Sequence, residues 1–249
     1  MSTATLHFGD CLQVMASIPD ESVNAVICDP PYGTTQCSWD SVIDMNLMWA
    51  QLKRITKPCS PIVLMSAQPF TSLLIGSNLE MFRYEWIWEK GAATGFLNAK
   101  KQPLRAHENV VVFYRQQPTF NPQMTSGHQR KTSAKKSVNS ECYGKALKLT
   151  EYDSTDRYPR SVQFFSSDKQ SSNLHPTQKP VALMRYLVET YTRRGDTVLD
   201  FTMGSGTTGI ACRDSGRAFI GIEKQEKYFL AAKQRISEPF TPDLLEAIA

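Results

Sequence analysis

The sequence predicts an α/β protein in which a mainly parallel sheet is doubly wound, with helices on both of its faces. Three observations carry this prediction. Seven short apolar runs are spaced along the chain, and most are continuous rather than alternating, which is typical of strands buried on both faces. Helical stripes of apolar residues lie between several of the runs. A turn that contains two glycines follows one of the last runs and leads into a helical segment.

The predicted strands are short apolar segments bounded by turn or helix signals. They span residues 5–8, 23–28, 61–66, 84–88, 109–114, 197–200 and 218–222. No clear helical pattern separates 84–88 from 109–114, so these two are expected to pair in antiparallel fashion at one edge of the sheet.

Three apolar stripes with helical spacing are expected to pack on this sheet as core, since plain packing explains such stripes better than a cofactor role. They consist of Met45, Met48, Trp49, Leu52 and Ile55; of Val181, Met184, Leu187, Val188 and Tyr191; and of Tyr228, Phe229, Ala232 and Ile236.

The composition of the 249-residue chain fits one large core, or one core with an inserted lobe: 41% of residues are hydrophobic and 21% are charged. No pattern of a signal peptide is present, and the longest apolar runs are too short to cross a bilayer. Six cysteines without CxxC spacing and four scattered histidines suggest no zinc site. We therefore expect a cytoplasmic protein with reduced thiols, no membrane partner and no metal.

Positive charge is concentrated in one segment. Residues 115–169 contain ten Lys/Arg and five Asp/Glu, a net of +5, so the rest of the chain sums to −1 of the total of +4. A solvated loop and a contact with a polyanion both account for this segment. It is also poor in apolar runs, and we interpret residues 116–173 as an insertion.

The stretch "CDPPYG", residues 28–33, ends the second predicted strand. Pro30 and Pro31 stop a strand because each lacks a backbone donor and has a fixed φ. Asp29 and Tyr32 are thereby held on either side of a rigid turn. Taken alone, the stretch is compatible with a purely structural strand end.

The stretch "TVLDFTMGSGTTGIAC", residues 197–212, is a strand, a glycine turn and a helix start. Such a turn lets a ligand approach the backbone, and Glu223 at the end of the next strand is placed to accept hydrogen bonds from ribose hydroxyls. NAD or FAD binding is therefore an alternative, although the turn is not GxGxxG. No GxxxxGK[ST] sequence is present, which disfavours a P-loop NTPase.

Together, "DPPY" and "DFTMGSGTT" resemble the motifs of the amino-group DNA methyltransferases, in the order typical of their β class. "LHFGDCLQVM", "RAHENVVVFYR" and "HPTQKP" are similar to further motifs of that family. The resemblance covers nearly the whole chain. It implies a seven-stranded, Rossmann-like fold that depends on S-adenosylmethionine (AdoMet) and is circularly permuted. The chain would begin in the middle of the sheet and return to supply the family's first two strands.

The resemblance also divides the chain by function. Residues 1–115 would form the catalytic half of the methyltransferase domain, and residues 174–249 its cofactor-binding half. The inserted residues 116–173 would be the target recognition region, in which the resemblance places DNA contacts by Arg130, Lys131, Lys135 and Lys136. Residues 91–101 are expected to form a mobile loop over the DNA.

Site residues follow from the same motifs. Asp29, Pro30, Pro31 and Tyr32 would be catalytic, with the Asp29 carboxylate and the Pro30 carbonyl accepting the two amino hydrogens of a flipped base that stacks on Tyr32. A surface lysine at a helix start is the alternative reading of Lys179. The residues assigned to the AdoMet site are Asp10, Cys11, Asp29, Thr177, Lys179, Asp200, Phe201, Gly204, Ser205, Gly206, Thr207 and Glu223.

Adenine N6 is the expected target, because in this family an Asp that opens the tetrad is commoner among adenine enzymes. N4 of cytosine is the alternative. Methylation of RNA or of protein glutamine is less favoured, since that tetrad usually opens with Asn. A DNA-binding module with an inactive site is disfavoured because the catalytic and cofactor residues are all present. Many β-class enzymes self-associate, so a homodimer stays open.

Overall fold

Twelve strands and six α-helices form in the part of the chain that the computed structural model describes, namely residues 3–35, 37, 40–135, 138–141, 144–146, 150–166 and 178–239. The strands are β1 (Ala4–Phe8), β2 (Ala25–Cys28), β3 (Ile62–Ser66), β4 (Phe82–Thr94), β5 (Arg105–Phe113), β6 (Lys131–Lys135), β7 (Val138–Ser140), β8 (Gly144–Ala146), β9 (Thr150–Ser154), β10 (Val162–Phe165), β11 (Thr197–Asp200) and β12 (Ala218–Glu223). The helices are α1 (Cys11–Met15), α2 (Met45–Ile55), α3 (Phe70–Gly76), α4 (Val181–Tyr191), α5 (Thr207–Ser215) and α6 (Glu226–Ser237).

The central sheet has eight strands among the described residues, in the order β1-β12-β11-β2-β3-β5-β4-β10. Strand β5 is antiparallel to both of its neighbours, and the other neighbouring pairs are parallel. Each of the seven predicted strands overlaps a strand of this sheet, and the predicted antiparallel pairing of 84–88 with 109–114 is confirmed as β4 with β5. The fold is the predicted mixed, Rossmann-like arrangement.

Two details of the predicted sheet are wrong. The chain does not begin in the middle of the sheet: β1 is an edge strand beside β12, and its residues are correspondingly half-buried or exposed. An eighth strand, β10, lies beside β4 and displaces that strand from the edge. Strand β10 has the sequence VQFF, in which Gln163 interrupts the apolar residues, and as an edge strand it is only half-buried at Gln163 and Phe165 and exposed at Val162 and Phe164.

The apolar runs are continuous because successive residues of the central strands serve two cores. Val26 and Cys28 pack with helices α1, α2 and α3 on one face, whereas Ile27 between them packs with α4, α5 and α6 on the other. The predicted helical stripes lie on the core-facing sides of α2, α4 and α6, where Met45, Val181, Tyr228 and Phe229 are half-buried and the other members are buried. The doubly wound prediction is thus confirmed at the level of individual side chains.

Residues Pro122–Arg160 form a compact unit of their own, separate from the unit made of Met1–Asn121 and Ser161–Ala249. In it, β6 pairs with β9 and β7 pairs with β8, both in antiparallel fashion. The Arg130 guanidinium donates to both carboxylate oxygens of Asp153, at 2.8 and 2.7 Å. This unit lies inside the predicted insertion 116–173, whose role in target recognition stays a prediction.

No helix among the described residues is long and apolar enough to pass through a membrane.

Helix α5 approaches its neighbours so closely that Gly209 has no room for a side chain. A Cβ there would overlap with Cδ1 of Ile236 and lie 2.8 Å from a ring carbon of Phe219. We expect Gly209→Ala to lower the free energy of unfolding by about 1–2 kcal/mol. Overpacking against two side chains costs about 2–3 kcal/mol, and the gain of about 1 kcal/mol that alanine brings to a helix offsets part of it. Urea denaturation measures the difference.

The matched control is Gly76→Ala in α3, where an added Cβ meets nothing within 4 Å. It should leave stability unchanged or raise it by up to about 1 kcal/mol. A Gly209→Ala protein as stable as Gly76→Ala would contradict the close contact between α5 and α6.

Candidate active site

A cavity of about 640 Å³ opens in the larger unit at the carboxyl ends of parallel strands, where open α/β sheets bind ligands. The residues directly after β1, β2, β11 and β12 line it, so four separate chain segments converge there. Strands β4 and β5 close another side. Their lining residues are Trp88, Lys90, Thr94, Arg105, His107 and Glu108.

This cavity brings together all the predicted catalytic residues and most of the predicted cofactor residues. Those that line it are Asp10, Cys11, Asp29, Pro30, Pro31, Tyr32, Lys179, Asp200, Phe201, Gly204, Ser205, Thr207 and Glu223. Gly206 is not among its lining residues, and Thr177 lies outside the described residues. The roles assigned to these positions stay predictions; their convergence on one cavity is a structural finding.

The carboxylate of Asp29 is held by two side chains. The Tyr32 hydroxyl donates to Oδ1 at 2.6 Å, and Nζ of Lys179 lies 2.6 Å from Oδ2. Each carboxylate oxygen has two lone pairs, so each can accept one more hydrogen bond. Asp29 is therefore fixed in position and still able to accept a donor from a ligand in the cavity.

Lys179 also connects Asp29 to two further charges. Its Nζ lies 3.3 Å from Oε2 of Glu108, and the other oxygen of Glu108 is 2.6 Å from Nζ of Lys90. The result is a row of alternating charges, Lys90–Glu108–Lys179–Asp29, which we call the charge row. Lys179 and Glu108 are largely withdrawn from water, with side chains 9% and 15% exposed.

The charge row determines which of its members are ionised. Burial raises the pKa of Asp29 and Glu108 adds to this, while Lys179 and the Tyr32 hydroxyl oppose it. Burial alone would lower the pKa of Lys179, but the two carboxylates outweigh it, and its pKa is raised. Burial would raise the pKa of Glu108, but Lys179 and Lys90 hold that pKa below its usual value. Lys179 is thus a stable cation that favours ionised Asp29.

Tyr32 and Pro30 complete this side of the cavity. The Tyr32 ring stacks on Phe70 with centroids 5.2 Å apart, and Nζ of Lys179 is 5.6 Å from the centroid of the same ring. Among the described residues, none donates a hydrogen bond to the carbonyl of Pro30, because the strand pairing of β2 ends at Cys28. A free backbone acceptor therefore stands next to the Asp29 carboxylate.

Asp40 fixes the loop that follows the tetrad. Its carboxylate accepts hydrogen bonds from the backbone N–H groups of Gly33, Thr34 and Thr35, at 2.8, 3.0 and 2.7 Å. Gly33 has φ +67°, and a Cβ at this position would lie 2.8 Å from Val42. The glycine of "CDPPYG" is thus required by the turn.

The ends of β2 and β11 are joined by the hydroxyl of Thr202. It lies 2.9 Å from the Cys28 sulfur and donates to the Asp29 carbonyl at 3.1 Å. Asp200 is buried beneath it and accepts from the Thr208 hydroxyl at 2.6 Å, and burial raises the pKa of Asp200 to about 6. These contacts place the tetrad directly beside the glycine turn.

Glu223 anchors the other side of the glycine turn. Its two carboxylate oxygens accept the backbone N–H groups of Gly204 at 3.0 Å and of Gln225 at 2.7 Å, and burial raises its pKa. Gly206 is explained by packing: it has φ +82°, and a Cβ there would lie 2.9 Å from Ala232 of α6. The sequence interpretation assigned Gly206 to the cofactor, whereas the structure gives it a reason that needs no ligand.

Asp10 and Cys11 lie where β1 meets α1. Asp10 is the N-cap of α1, and its Oδ1 accepts from the backbone N–H groups of Leu12 and Gln13 at 3.0 and 3.3 Å. Cys11 is buried, and burial raises its pKa to about 11, so it lines the cavity as a neutral thiol.

The predicted DNA contacts fall in the smaller unit and are only partly described. Arg130 is exposed and paired with Asp153, and Lys131 is exposed at the start of β6. Lys135 ends β6, and Lys136 lies outside the described residues. The described members do not form part of the cavity.

Sequence reasoning missed the cavity residues of the β4–β5 pair, above all Glu108 and Lys90. The sequence does contain a signal for Glu108. It is an acidic residue directly before the apolar run "NVVVF", and an acid next to a buried strand is expected to need a charged partner. Gln178 was also missed, and its side-chain oxygen accepts from the Ser205 hydroxyl at 3.0 Å. In the described ranges, no group of three or more His, Cys, Asp or Glu side chains is arranged to hold a metal ion.

The fold is that of the Rossmann-like, AdoMet-dependent methyltransferases. The profile of the N6/N4 DNA methylase family matches residues 23–234, which is most of the chain, and the chain therefore belongs to this family. It is a DNA methyltransferase.

Two curated relatives match over almost the whole chain. The type II methyltransferase M.HinfI of Haemophilus influenzae is 28% identical, over 94% of this chain and 68% of its own length. The type II methyltransferase M2.LlaDCHI of Lactococcus lactis subsp. cremoris is 24% identical, over 96% of this chain and 91% of its own.

Solved structures share the fold at lower identity. A crystal structure of M1.HpyAVI in complex with AdoMet has a TM-score of 0.66 and 23% identity, covering 94% of this chain and all of that one. The PvuII DNA methyltransferase, which is cytosine-N4-specific, has a TM-score of 0.69 and 17% identity, covering 97% of this chain and 89% of that one.

Proposed function

We propose that this DNA methyltransferase transfers a methyl group from AdoMet to the N6 amino group of adenine, after the target base has left the duplex. The observation that carries the proposal is the pair of adjacent acceptors, the Asp29 carboxylate and the Pro30 carbonyl, which line one cavity together with the glycine turn. The smaller unit, with the rest of 116–173, is the proposed target recognition region. A cytoplasmic location follows from the DNA substrate.

The residues of the cavity fit AdoMet. Glu223 is buried yet lines the cavity, and its carboxylate oxygens retain lone pairs for ribose hydroxyls. Asp10 and Asp200 add negative charge that suits a cationic ligand, and Phe201 and Ile222 supply apolar lining. The proposed contacts follow the sequence assignment for Asp10 and Cys11 at the adenine and for Ser205 and Thr207 at the amino-acid end. Asp29, which the sequence also assigned to the cofactor, is proposed to contact the target amine instead. When bound, AdoMet supplies a methyl group activated by its sulfonium charge.

The two acceptors make an exocyclic amine nucleophilic. The lone pair of such an amine is delocalised into the ring, and hydrogen bonds from both amino hydrogens to Asp29 and Pro30 localise it on nitrogen. The amine nitrogen gains a bond to the methyl carbon as the bond between that carbon and the donor sulfur breaks, which leaves a neutral thioether. The nitrogen loses one proton, which the Asp29 carboxylate accepts. Fixed acceptors at the reacting atom provide preorganised electrostatics and positioning rather than covalent catalysis.

The neighbours of Asp29 maintain this arrangement. Lys179 favours the ionised carboxylate, which is the stronger acceptor. The Tyr32 hydroxyl holds the carboxylate in position, and its ring offers a face on which the flipped base stacks. Phe70 stacks on that ring, at 5.2 Å between centroids, and helps to fix its orientation.

Adenine is preferred over cytosine because an Asp opens the tetrad, which in this family is commoner among adenine enzymes. N4 of cytosine is the second candidate. The same two acceptors serve either amine, because each presents two hydrogens on an exocyclic nitrogen.

We expect label from isotope-labelled AdoMet to appear in N6-methyladenine when the purified protein is incubated with unmethylated DNA. Digestion to nucleosides followed by mass spectrometry identifies the product. Label in N4-methylcytosine alone would refute the choice of base but keep the mechanism. No label in DNA, with AdoMet bound, would refute the proposed activity.

A further inference from the structure

Strands β4 and β5 form a hairpin whose end carries two apolar side chains in solvent. Between Thr94 and Arg105 the chain makes a short 3-10 helix at Phe96–Asn98. Phe96 is 80% exposed and Leu97 is 99% exposed. We call residues 95–104 the hairpin tip. Neither side chain contributes to the two cores of the sheet, so folding does not explain why they are apolar.

The backbone of the hairpin tip is organised by its own hydrogen bonds. The N–H of Asn98 donates to the Gly95 carbonyl at 2.9 Å, and the N–H groups of Lys101 and Gln102 donate to the Asn98 carbonyl at 2.8 and 3.0 Å. Gly95 has φ +91°, a conformation that glycine adopts without strain. The expected mobile loop at 91–101 is therefore an extension of β4 followed by a hydrogen-bonded turn.

The charge around the tip has one sign. Residues 91–107 include Lys100, Lys101 and Arg105 and no acidic residue, whereas Lys90 just before them is paired with Glu108. Lys100, Lys101 and Arg105 are exposed. Apolar side chains surrounded by cations suit a polyanion with an apolar interior, which is the character of stacked base pairs inside a phosphate backbone.

The hairpin also connects its tip to the candidate active site. Lys90, Thr94, Arg105 and His107, on the two strands below the tip, line the same cavity as Asp29. A duplex that delivers a base to Asp29 must therefore pass close to this hairpin.

We propose that Phe96 and Leu97 are a wedge that enters the base stack beside the target and fills the space that the flipped nucleotide leaves. The proposal rests on the DNA methyltransferase activity and adds a function for the hairpin tip. Apolar side chains that enter between base steps offset part of the lost stacking, while Lys100 and Lys101 contact the flanking phosphates.

The test compares the double variant Phe96→Ala/Leu97→Ala on two kinds of substrate. On a matched duplex, kcat/KM should fall by about 10- to 100-fold, because flipping then proceeds without the wedge. On a duplex whose target base faces a mismatch, kcat/KM should fall less than about threefold, because that base is already unstacked at little cost. AdoMet affinity should stay that of the parent protein.

Leu79→Ala is the matched control: Leu79 is 67% exposed, lies outside the cavity, and should leave kcat/KM on both substrates unchanged. An equal loss of the double variant on matched and mismatched duplexes would overturn the wedge. The wedge would also be overturned if the double variant were a monomer where the parent protein is a dimer and lost the same kcat/KM on both substrates. The tip would then bind a second copy of the chain. Failure of the parent protein to methylate any DNA would instead refute the proposed function.

Discussion

Replacing Asp29 by alanine is expected to lower kcat by at least about 10²–10³-fold, the effect typical of removing one preorganised group at a reacting atom. The variant loses the charged acceptor for the amino hydrogen and the group that takes up the proton. AdoMet affinity should stay close to that of the parent protein, because the glycine turn and Glu223 do not depend on the Asp29 side chain. Single-turnover methylation and calorimetric titration with AdoMet measure the two quantities.

Asp29→Asn is the control that separates charge from shape. It keeps the volume of the side chain and one oxygen acceptor but removes the negative charge that Lys179 faces at 2.6 Å. Lys179 retains Glu108 as a partner in both variants, so folding should survive, and thermal unfolding checks this. If AdoMet affinity collapsed together with kcat in the asparagine variant, Asp29 would be a cofactor ligand rather than the acceptor for the amine.

The sheet was predictable because its central strands carry the simplest pattern in the chain. Ile62 to Met65 are all buried, because neighbouring residues face opposite sides of the sheet and each side has a hydrophobic core. Edge strands lack that pattern. Residues 162–165 alternate between exposed and half-buried, and no apolar run distinguishes them from a loop.

The site was predictable as a set of positions but not as a set of contacts. The tetrad and the glycine turn could be placed at strand ends from sequence, and both line the cavity. The partners of Lys179 could not be predicted, because Asp29, Glu108 and Lys179 are 150 residues apart at their extremes. The strand order β2-β3-β5 brings Asp29 and Glu108 near each other, and Lys179 comes from the residues just before α4. The proposed contact of Lys179 with the cofactor carboxylate therefore now competes with a charge partner 2.6 Å away.

Replacing Lys179 by methionine tests which of these two interactions Lys179 makes, and we expect it to have the second large effect on activity and stability. The variant leaves Asp29 and Glu108 without the cation they share, and removing one partner of a buried ion pair costs about 3–5 kcal/mol of stability. The pKa of Asp29 should rise further, since its burial is no longer opposed by Lys179. Because Asp29 must be ionised to act, the acid limb of the kcat profile should move to higher pH.

For Glu108→Gln we expect a shift of the acid limb in the opposite direction. This variant is the sharper test, because damage to the fold would not move the acid limb to lower pH. Glu108 raises the pKa of Asp29 and draws Lys179 toward itself, and Asp200 and Cys28 on the other side of Asp29 are unaltered. Without Glu108 the pKa of Asp29 should fall, and the acid limb should move to lower pH. The double variant Lys179→Met/Glu108→Gln should recover part of the lost stability, because only one carboxylate, that of Asp29, is then left without the cation it shared.

The direction of these shifts decides between the two roles of Lys179. If Lys179 supports Asp29, Lys179→Met and Glu108→Gln shift the acid limb in opposite directions, Lys179→Arg largely preserves it, and AdoMet affinity changes little in all three. If Lys179 instead binds the cofactor carboxylate, Lys179→Met weakens AdoMet binding and leaves the acid limb in place. A pH profile of kcat at saturating AdoMet separates these outcomes, because saturation removes any contribution from weakened cofactor binding.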